Sequence, residues 1–235
     1  MLKYQAIVFD VSDTLVEYSP NFAQIYGDRL RYIGFEVSEE KAKEISKMVN
    51  LAIGEQNLRE SHGEHLEEAG LNELLDKAAL LCVIDESNCC QQYLSKLKEL
   101  RLPKQEMITI SGVYGVLDAI KDKYRLAIVS NHYSWLIEHL KNMNLASYFE
   151  SIIISENVGV SKPDIRIMQI LLNELELDAA ACLYVGDQPM DVLCSKEIGM
   201  DCVWIADEDD QLPKSFPCQE DYRISRISDL LKIVL

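Results

Sequence analysis

The sequence predicts an α/β fold in which a parallel sheet carries a helical insertion after its first strand, and two observations lead to this prediction. Short apolar runs alternate with amphipathic segments from about residue 112 to the end of the chain. Such alternation is typical of βαβ units and therefore of a parallel sheet. Residues 17 to about 105, in contrast, show helical periodicity and no convincing strand pattern.

The first element is a buried strand that ends in a carboxylate. Residues 4–10 are an apolar run that finishes at Asp10, which is the pattern of a parallel strand with an acid at its carboxyl end. Further apolar runs predict strands at residues 125–130, 151–154, 182–187 and 202–205. Amphipathic segments predict helices at residues 115–121, 135–140 and 167–172. The predicted core is a Rossmann-like parallel sheet formed by residues 1–15 and 106–235.

The insertion, residues 16–105, is predicted to be a separate α-helical subdomain of three to five helices. Its apolar residues recur on single helical faces, as Phe22, Tyr26 and Leu30 do. The stretch is too long for a connecting loop, so it should pack around a core of its own. Within it, His62 and His65 stand three residues apart. We interpret them as part of a polar loop, because no third metal ligand accompanies them.

Composition and charge argue against several classes of binding partner. The net charge of −16 and the pI near 4.6 argue against nucleic acid and against an anionic membrane surface. No apolar run is long enough to span a membrane. The chain has seven cysteines without CxxC spacing, and its first apolar run is too short for a signal peptide. We therefore expect a cytoplasmic protein with reduced thiols, including the adjacent Cys89 and Cys90. A monomer and a homodimer are equally compatible with the sequence.

Polar residues follow four of the predicted strands, and ligands of open parallel sheets bind at the carboxyl ends of strands. The residues are Asp10 with Ser12, Asp13 and Thr14; Ser130 with Asn131; Lys162; and Asp187 with Asp191. Carboxylates from two strands suit Mg²⁺, and a carboxylate can also act as a nucleophile. A lysine would neutralise charge beside that nucleophile, while hydroxyl and amide groups would hold phosphoryl oxygens. Taken singly, each residue also fits a turn or a helix cap. Together they predict Mg²⁺-assisted phosphoryl transfer.

Four segments, in order, resemble the motifs of the haloacid dehalogenase-like hydrolases. Residues 9–15, Phe-Asp-Val-Ser-Asp-Thr-Leu, resemble that family's Asp-x-Asp-Gly-Thr-Leu motif. Residues 128–131, ending in Ser130 and Asn131, and residues 155–164, with Lys162 before a proline, resemble the second and third motifs. Residues 185–192, which contain Asp187 and Asp191, resemble the fourth. The resemblance implies an α/β core with an all-helical cap at residues 16–105, the position at which one subfamily carries a cap.

The resemblance also implies catalytic roles, residue by residue. Asp10 matches the nucleophile that attacks phosphorus, and Lys162 matches the lysine that stabilises charge beside it. Ser130 matches the phosphate-binding hydroxyl, and Thr14 matches the threonine that steadies the first loop. Asn131 and His132 follow Ser130 directly, so we expect them to contact the substrate together with Ser12 and Thr14 of the first loop.

The same resemblance implies a Mg²⁺ site. Asp10 and Asp187 match its carboxylate ligands, and Asp191 matches the second acid, either a ligand or a group beside the ligands. The backbone carbonyl of Ser12 is the expected further ligand, which a serine supplies as well as an aspartate does.

One departure from the family pattern concerns proton transfer. The general acid/base aspartate of the family's phosphatases falls at position 12, which is Ser12 here, and the following glycine is Asp13. A hydroxyl has too high a pKa for this role near pH 7, and loss of a positioned acid/base costs about 10²–10⁴-fold in rate. Asp13 starts one residue later and is expected to face elsewhere. His132 is an alternative proton shuttle or substrate contact.

Three functional hypotheses follow. The first is a Mg²⁺-dependent phosphatase of a small phosphorylated metabolite, acting through an aspartyl-phosphate, with a cap that closes over the site. The second is a catalytically impaired binding or regulatory protein, for which Ser12 is the sequence support. The third is a hydrolase of a non-phosphate substrate such as a haloacid or phosphonate, although dehalogenation needs no Mg²⁺.

Overall fold

The computed structural model describes residues 2–61, 66–84, 91–212 and 216–235. The chain divides into two compact units, residues 1–17 with 107–235 and residues 18–106. The strands are β1 (Ala6–Phe9), β2 (Val16–Ser19), β3 (Glu106–Thr109), β4 (Arg125–Ser130), β5 (Ser151–Ile154), β6 (Cys182–Gly186), β7 (Asp201–Ile205) and β8 (Tyr222–Ile224). The α-helices are α1 (Phe22–Tyr32), α2 (Glu39–Ser61), α3 (Glu68–Leu81), α4 (Gln91–Glu99), α5 (Val113–Ile120), α6 (Leu136–Asn142), α7 (Ser155–Val158), α8 (Arg166–Leu175), α9 (Pro189–Glu197) and α10 (Leu231–Val234).

The first unit contains a six-stranded sheet in the order β5-β4-β1-β6-β7-β8. Every neighbouring pair is parallel, and in the central strand Ile7 lies opposite Leu126 of β4 and Leu183 of β6. All four residues of β1 are fully buried, as expected for a strand covered on both faces. The predicted α/β fold with a Rossmann-like parallel sheet is confirmed.

Alternate side chains of β1 enter two different cores, one on each face of the sheet. Ile7 and Phe9 belong to a core that includes residues of α5 and α6. Ala6 and Val8 belong to a second core that includes residues of α8 and α9. Helices therefore cover both faces, which leaves the carboxyl edge of the strands for polar residues.

The second unit is built from α1, α2, α3 and α4 among the residues that the structure describes. Its core contains Tyr26, Leu30, Ile45, Leu80 and Leu97, one or more from each helix. These residues recur at helical spacing, and their burial explains why this stretch folds around a core of its own. The helical periodicity seen in the sequence therefore corresponds to real helices.

Three strands were not expected from the sequence. β2 begins at residue 16 and takes in residues 17–19, where no strand was predicted, and it pairs with β3. β8 extends the parallel sheet beyond β7. These strands have three or four residues each and are partly exposed. They are too short to show a period of two, so their pairing partners, distant in sequence, decide their conformation.

The cysteines of the described residues are free thiols. Burial raises the pKa of Cys194 and of Cys202 to about 12, which keeps both thiols protonated and unreactive near pH 7. His62, His65, Cys89 and Cys90 lie outside the described residues. Among the helices that the structure describes, none is both long enough and apolar enough to cross a membrane.

Candidate active site

The carboxyl ends of three neighbouring strands bring the predicted polar residues together. Asp10 follows β1 directly, Ser130 is the last residue of β4, and Asp187 follows β6. Because β1 lies between β4 and β6 and all three are parallel, these residues meet at one edge of the sheet. Asp10 is 5% exposed and Ser130 is 2% exposed, so both are shielded from bulk water.

Lys162, between α7 and α8, is the centre of a buried charge cluster. Its Nζ donates hydrogen bonds to Asp10 Oδ1 at 2.8 Å, to Asp191 Oδ1 at 2.6 Å and to the Tyr184 hydroxyl oxygen at 2.9 Å. Burial alone would lower the pKa of Lys162, but the charges of Asp10 and Asp191 and their hydrogen bonds raise it above the usual value. Lys162 is therefore a permanent cation against the Asp10 carboxylate.

The side-chain amide of Asn131 fixes the backbone at Lys162. Its Oδ1 accepts from the Lys162 N–H at 2.7 Å, and its Nδ2 donates to the Lys162 carbonyl at 2.8 Å. Asn131 directly follows β4, so the end of this strand positions the lysine segment. Asn131 was predicted as a substrate contact; the structure places its amide on the protein backbone.

Asp191 lies in the first turn of α9, and its two carboxylate oxygens have different hydrogen-bond partners. Its Oδ2 accepts from the Gln188 backbone N–H at 2.9 Å and caps the helix, while its Oδ1 bonds to Lys162. A Cβ added at Gly186 would lie only 2.6 Å from Asp191 Cγ. Since both carboxylate oxygens are fixed by hydrogen bonds, Asp191 cannot move aside. The close approach of this carboxylate therefore requires glycine at position 186.

Asp187 is half-buried and is held from three sides. Its Oδ1 accepts from the Thr14 hydroxyl at 3.3 Å, and its Oδ2 accepts from Gln188 Nε2 at 2.6 Å. Its backbone carbonyl accepts from the indole N–H of Trp204 in β7 at 2.7 Å. Thr14 is fully buried, so the first loop and the loop after β6 are tied together at the carboxylate.

The first loop is a tight turn around the carbonyl of Val11, which accepts from the N–H groups of Leu15 at 2.8 Å and Val16 at 3.0 Å. Asp13 has a φ of 54°, in the left-handed region. This is the position at which the resembling motif has glycine, and aspartate is among the residues that tolerate the conformation. The Ser12 side chain is half-buried and that of Asp13 is exposed, so Asp13 does not occupy the same environment as the side chain at position 12.

Three carboxylates lie together in this cluster, and two of them, Asp10 and Asp191, pair with the Lys162 ammonium. One carboxylate oxygen from each of Asp10, Asp187 and Asp191 lies within 4.8 Å of the others. Burial and the charges of Asp10 and Asp191 raise the pKa of Asp187 well above its usual value. Burial also raises the pKa of Asp191, although the positive charge of Lys162 acts to lower it. Hard oxygen donors with surplus negative charge fit a hard divalent cation such as Mg²⁺.

His132 belongs to the loop that follows Asn131. Its Nδ1 accepts the Tyr133 N–H at 2.8 Å, and its ring meets Trp135 edge-on with centroids 4.5 Å apart. Burial lowers the pKa of His132, so the ring is neutral at pH 7. Its Nδ1 is therefore engaged by the backbone of its own loop.

Sequence reasoning missed Tyr184, Gly186, Gln188 and Trp204. Tyr184 is fully buried in β6, and its hydroxyl lies 2.8 Å from the Val129 carbonyl and 3.2 Å from Asp191 Oδ1. The available signal was a tyrosine inside an otherwise apolar strand, because a buried hydroxyl needs a partner. For Gln188 the signal was its place between the two aspartates, whereas the contact of Trp204 depends on tertiary pairing.

Two relatives are similar in part of the sequence. A pyrimidine 5′-nucleotidase, YjjG of Escherichia coli strain K12, is 31% identical over 99 residues, which are 41% of this chain and 44% of that protein. A glyceraldehyde 3-phosphate phosphatase of Pyrococcus abyssi is 31% identical over 131 residues, 53% of this chain and 54% of that protein. The matched segments span about half the length of these two relatives.

The fold is also that of a solved structure, the HAD-hydrolase YfnB from Bacillus subtilis bound to magnesium. The two chains superpose with a TM-score of 0.65 at 18% identity, over 99% of each chain. A family model, described as haloacid dehalogenase-like hydrolase, matches residues 7–205. That range contains Asp10, Lys162 and Asp187. The chain therefore belongs to the haloacid dehalogenase-like hydrolases.

Proposed function

We propose that the protein is a Mg²⁺-dependent phosphatase that acts on a small phosphorylated metabolite through an aspartyl-phosphate on Asp10. The observation that carries the proposal is the buried Lys162 ammonium, 2.8 Å from Asp10 Oδ1 and 2.6 Å from Asp191 Oδ1. It lies beside a cluster of three carboxylates. This arrangement offers an anionic nucleophile together with the positive charge that a phosphoryl group needs.

Asp10, Asp187 and Asp191, with the backbone carbonyl of Ser12, would hold the Mg²⁺ ion. The bound ion supplies positive charge that neutralises phosphoryl oxygens. The acidic residues explain how a chain with a net charge of −16 accepts an anionic substrate, because the cluster attracts a cation first. Thr14 and Gln188, which bond to the Asp187 carboxylate, keep it oriented.

In the proposed reaction, an oxygen of Asp10 attacks phosphorus, a P–O bond to the leaving alkoxide breaks, and an acyl-phosphate forms. Water then attacks that phosphorus, which releases inorganic phosphate and restores the carboxylate. Ser130, at the end of β4, binds phosphoryl oxygens. Lys162 holds Asp10 in place and offsets charge that develops beside it.

The proton steps of this reaction lack the usual protein acid. Ser12 stands at that position, and Asp13 is exposed on a left-handed turn. Substrates with good leaving groups, such as aryl phosphates, are therefore expected to react faster than alkyl phosphates. The Ser12 position also favours the second candidate, a family member with impaired catalysis that acts as a binding or regulatory protein.

Two relatives support the substrate class. By their names, one acts on pyrimidine nucleotides and the other on glyceraldehyde 3-phosphate, and both are small phosphorylated molecules. We propose a substrate of the same class for this chain, in the cytoplasm.

The test is a panel of aryl, alkyl and nucleoside monophosphates, assayed with and without Mg²⁺. The expected result is phosphate release that requires Mg²⁺ and falls by about 10⁴-fold or more in Asp10→Asn, since no nucleophile remains. Asp122→Asn, an exposed aspartate beyond the end of α5, is the matched control and should retain full activity. Release without Mg²⁺ or full activity of Asp10→Asn would contradict the proposal. No release from any ester would favour the binding protein.

A further inference from the structure

The hydroxyl of Tyr184 completes the hydrogen bonding of the Lys162 ammonium. An ammonium group has three N–H donors, and Lys162 Nζ has three acceptors: Asp10 Oδ1, Asp191 Oδ1 and the Tyr184 oxygen at 2.9 Å. Each N–H therefore has one partner. With all three donors used, rotation of the ammonium group would break a buried hydrogen bond.

The tyrosine is itself fixed from the far side of the central strand. Tyr184 lies in β6, and its hydroxyl donates to the Val129 carbonyl of β4 at 2.8 Å. Since β1 lies between β4 and β6, the side chain reaches across the strand that delivers Asp10. The Val129 carbonyl at 2.8 Å is a closer acceptor for the hydroxyl proton than Asp191 Oδ1 at 3.2 Å, so a lone pair of the hydroxyl is left to accept from the ammonium. Tyr184 is 0% exposed, so water does not compete for either bond.

We propose that Tyr184 is a positioning residue for the reaction, acting through Lys162. The Tyr184 hydroxyl accepts a hydrogen bond from one ammonium N–H and so directs the other two N–H groups at Asp10 and Asp191. The bond to Asp10 Oδ1 sets the rotation of that carboxylate and hence the direction of its second oxygen. Reaction rates depend steeply on such alignment. The proposed effect on turnover rests on the phosphatase function proposed above, whereas the effect on the ammonium group does not.

The structure offers a matched control. Tyr124 is also buried in the α/β unit, 6% exposed, and its hydroxyl donates to the Val234 carbonyl at 2.5 Å. Tyr184→Phe and Tyr124→Phe each remove one buried hydroxyl that bonds to a backbone carbonyl. Both should lower Tm to a similar degree. Of these two tyrosines, only Tyr184 contacts Lys162.

The first measurement is ¹⁵N NMR of lysine ammonium groups, which needs no substrate. The wild type should show a slowly exchanging ammonium signal, assigned by its absence in Lys162→Met. Tyr124→Phe should keep that signal and Tyr184→Phe should lose it through faster exchange. Tyr184→Met, which also lacks the hydroxyl, should give the same loss. Absence of the signal from the wild type, or its persistence in both Tyr184 variants, would overturn the proposal.

The second measurement is steady-state kinetics with an aryl phosphate. Tyr184→Phe should lower kcat by about 10-fold or more, the effect of one charge-assisted hydrogen bond, with KM changed less than about 3-fold, whereas Tyr124→Phe should retain kcat. Equal kcat in the two variants would overturn the proposal even if the ammonium signal were lost. A wild type that hydrolyses no ester would refute the phosphatase function, and the NMR comparison would still decide the role of Tyr184.

Discussion

Each unit of the molecule buries a cluster of charged side chains, and the two clusters are built differently. In the helical unit, Arg29 of α1 forms a bidentate pair with Asp76 of α3, and Arg29 Nη2 also donates to the Leu97 carbonyl of α4 at 2.7 Å. One cation faces one anion there. In the α/β unit, Lys162 faces Asp10, Asp191 and, close by, Asp187.

The difference is one of charge balance within the protein. In the Arg29–Asp76 pair the two charges compensate each other, and the contacts of Arg29 link α1 to α3 and α4. In the second cluster the negative charge of three carboxylates exceeds the one positive charge of Lys162, which is costly in a buried site. Burial raises the pKa of Asp76, but Arg29 opposes the shift, whereas at Asp187 the charges of Asp10 and Asp191 add to the effect of burial.

The largest expected effect comes from supplying the acid that the α/β cluster lacks. Ser12→Asp should raise turnover of alkyl phosphates by up to about 10²–10⁴-fold, because a carboxylic acid then protonates the leaving group. Aryl phosphates, which leave readily as anions, should gain much less. The measurement is kcat for one alkyl and one aryl phosphate in both proteins. If the wild type already hydrolyses the alkyl ester quickly and the variant gains nothing, another acid acts, and Asp13 and His132 are the first candidates.

The next largest effect is expected on stability, at the Arg29–Asp76 pair of the helical unit. Asp76→Asn should lower the free energy of unfolding by about 3–5 kcal/mol, because Arg29 would then be buried without a counter-ion. Asp28→Asn is the control in the same unit, since Asp28 pairs with Arg31 on the surface of α1, with 77% of its side chain exposed. That pair should contribute under about 1 kcal/mol. Urea unfolding measures both, and similar losses in the two variants would contradict the comparison.

The smallest effect, of opposite sign, is expected at Asp187. With its pKa raised in the folded state, the carboxyl stabilises the metal-free protein at low pH, and this contribution is lost as pH rises through the raised pKa. At pH 7.5 without Mg²⁺, Asp187→Asn should raise Tm by about 2–4 °C, the shift that about 1 kcal/mol produces in a chain of this size. The gain should shrink as the pH falls below about 4 and be absent by about pH 3, where the carboxyl is largely protonated in the unfolded state as well.

A surface carboxylate provides the contrast for this pH dependence. Hydrogen bonds from Lys121 and Tyr148 lower the pKa of Asp118, so its stabilising effect is present above the usual carboxyl pKa and is lost as pH falls through the lowered pKa. Asp118→Asn should therefore not raise Tm at pH 7.5. An equal rise in both variants would show that loss of any negative charge is enough in this acidic chain.

Much of the sheet was predictable because buried parallel strands are apolar runs, which Ile7, Val8 and Phe9 illustrate. The four polar positions were predictable as a group, since parallel topology brings strand ends together. The short strands β2, β3 and β8 were not, because their conformation depends on partners far along the chain. The division of the chain at residues 17–18 and 106–107 falls within β2 and after the first residue of β3.

The supporting residues of the site were less accessible to sequence reasoning. Asn131 follows Ser130 and was expected to contact substrate, yet its amide bonds to the Lys162 backbone. The partners of Tyr184 come from β4 and from the segments that carry Lys162 and Asp191. Spacing within one strand carries no information on such contacts, whereas a tyrosine in an apolar strand does indicate that a partner exists.

The most direct test of the account is a calorimetric titration of the metal-free protein with Mg²⁺ at pH 7.5, since the central claim is that the unbalanced carboxylates take up a divalent cation. We predict one Mg²⁺ bound per chain in the wild type and in Asp122→Asn, and loss of binding in Asp187→Ala. Absence of Mg²⁺ binding to the wild type, or unchanged affinity in Asp187→Ala, would contradict the claim.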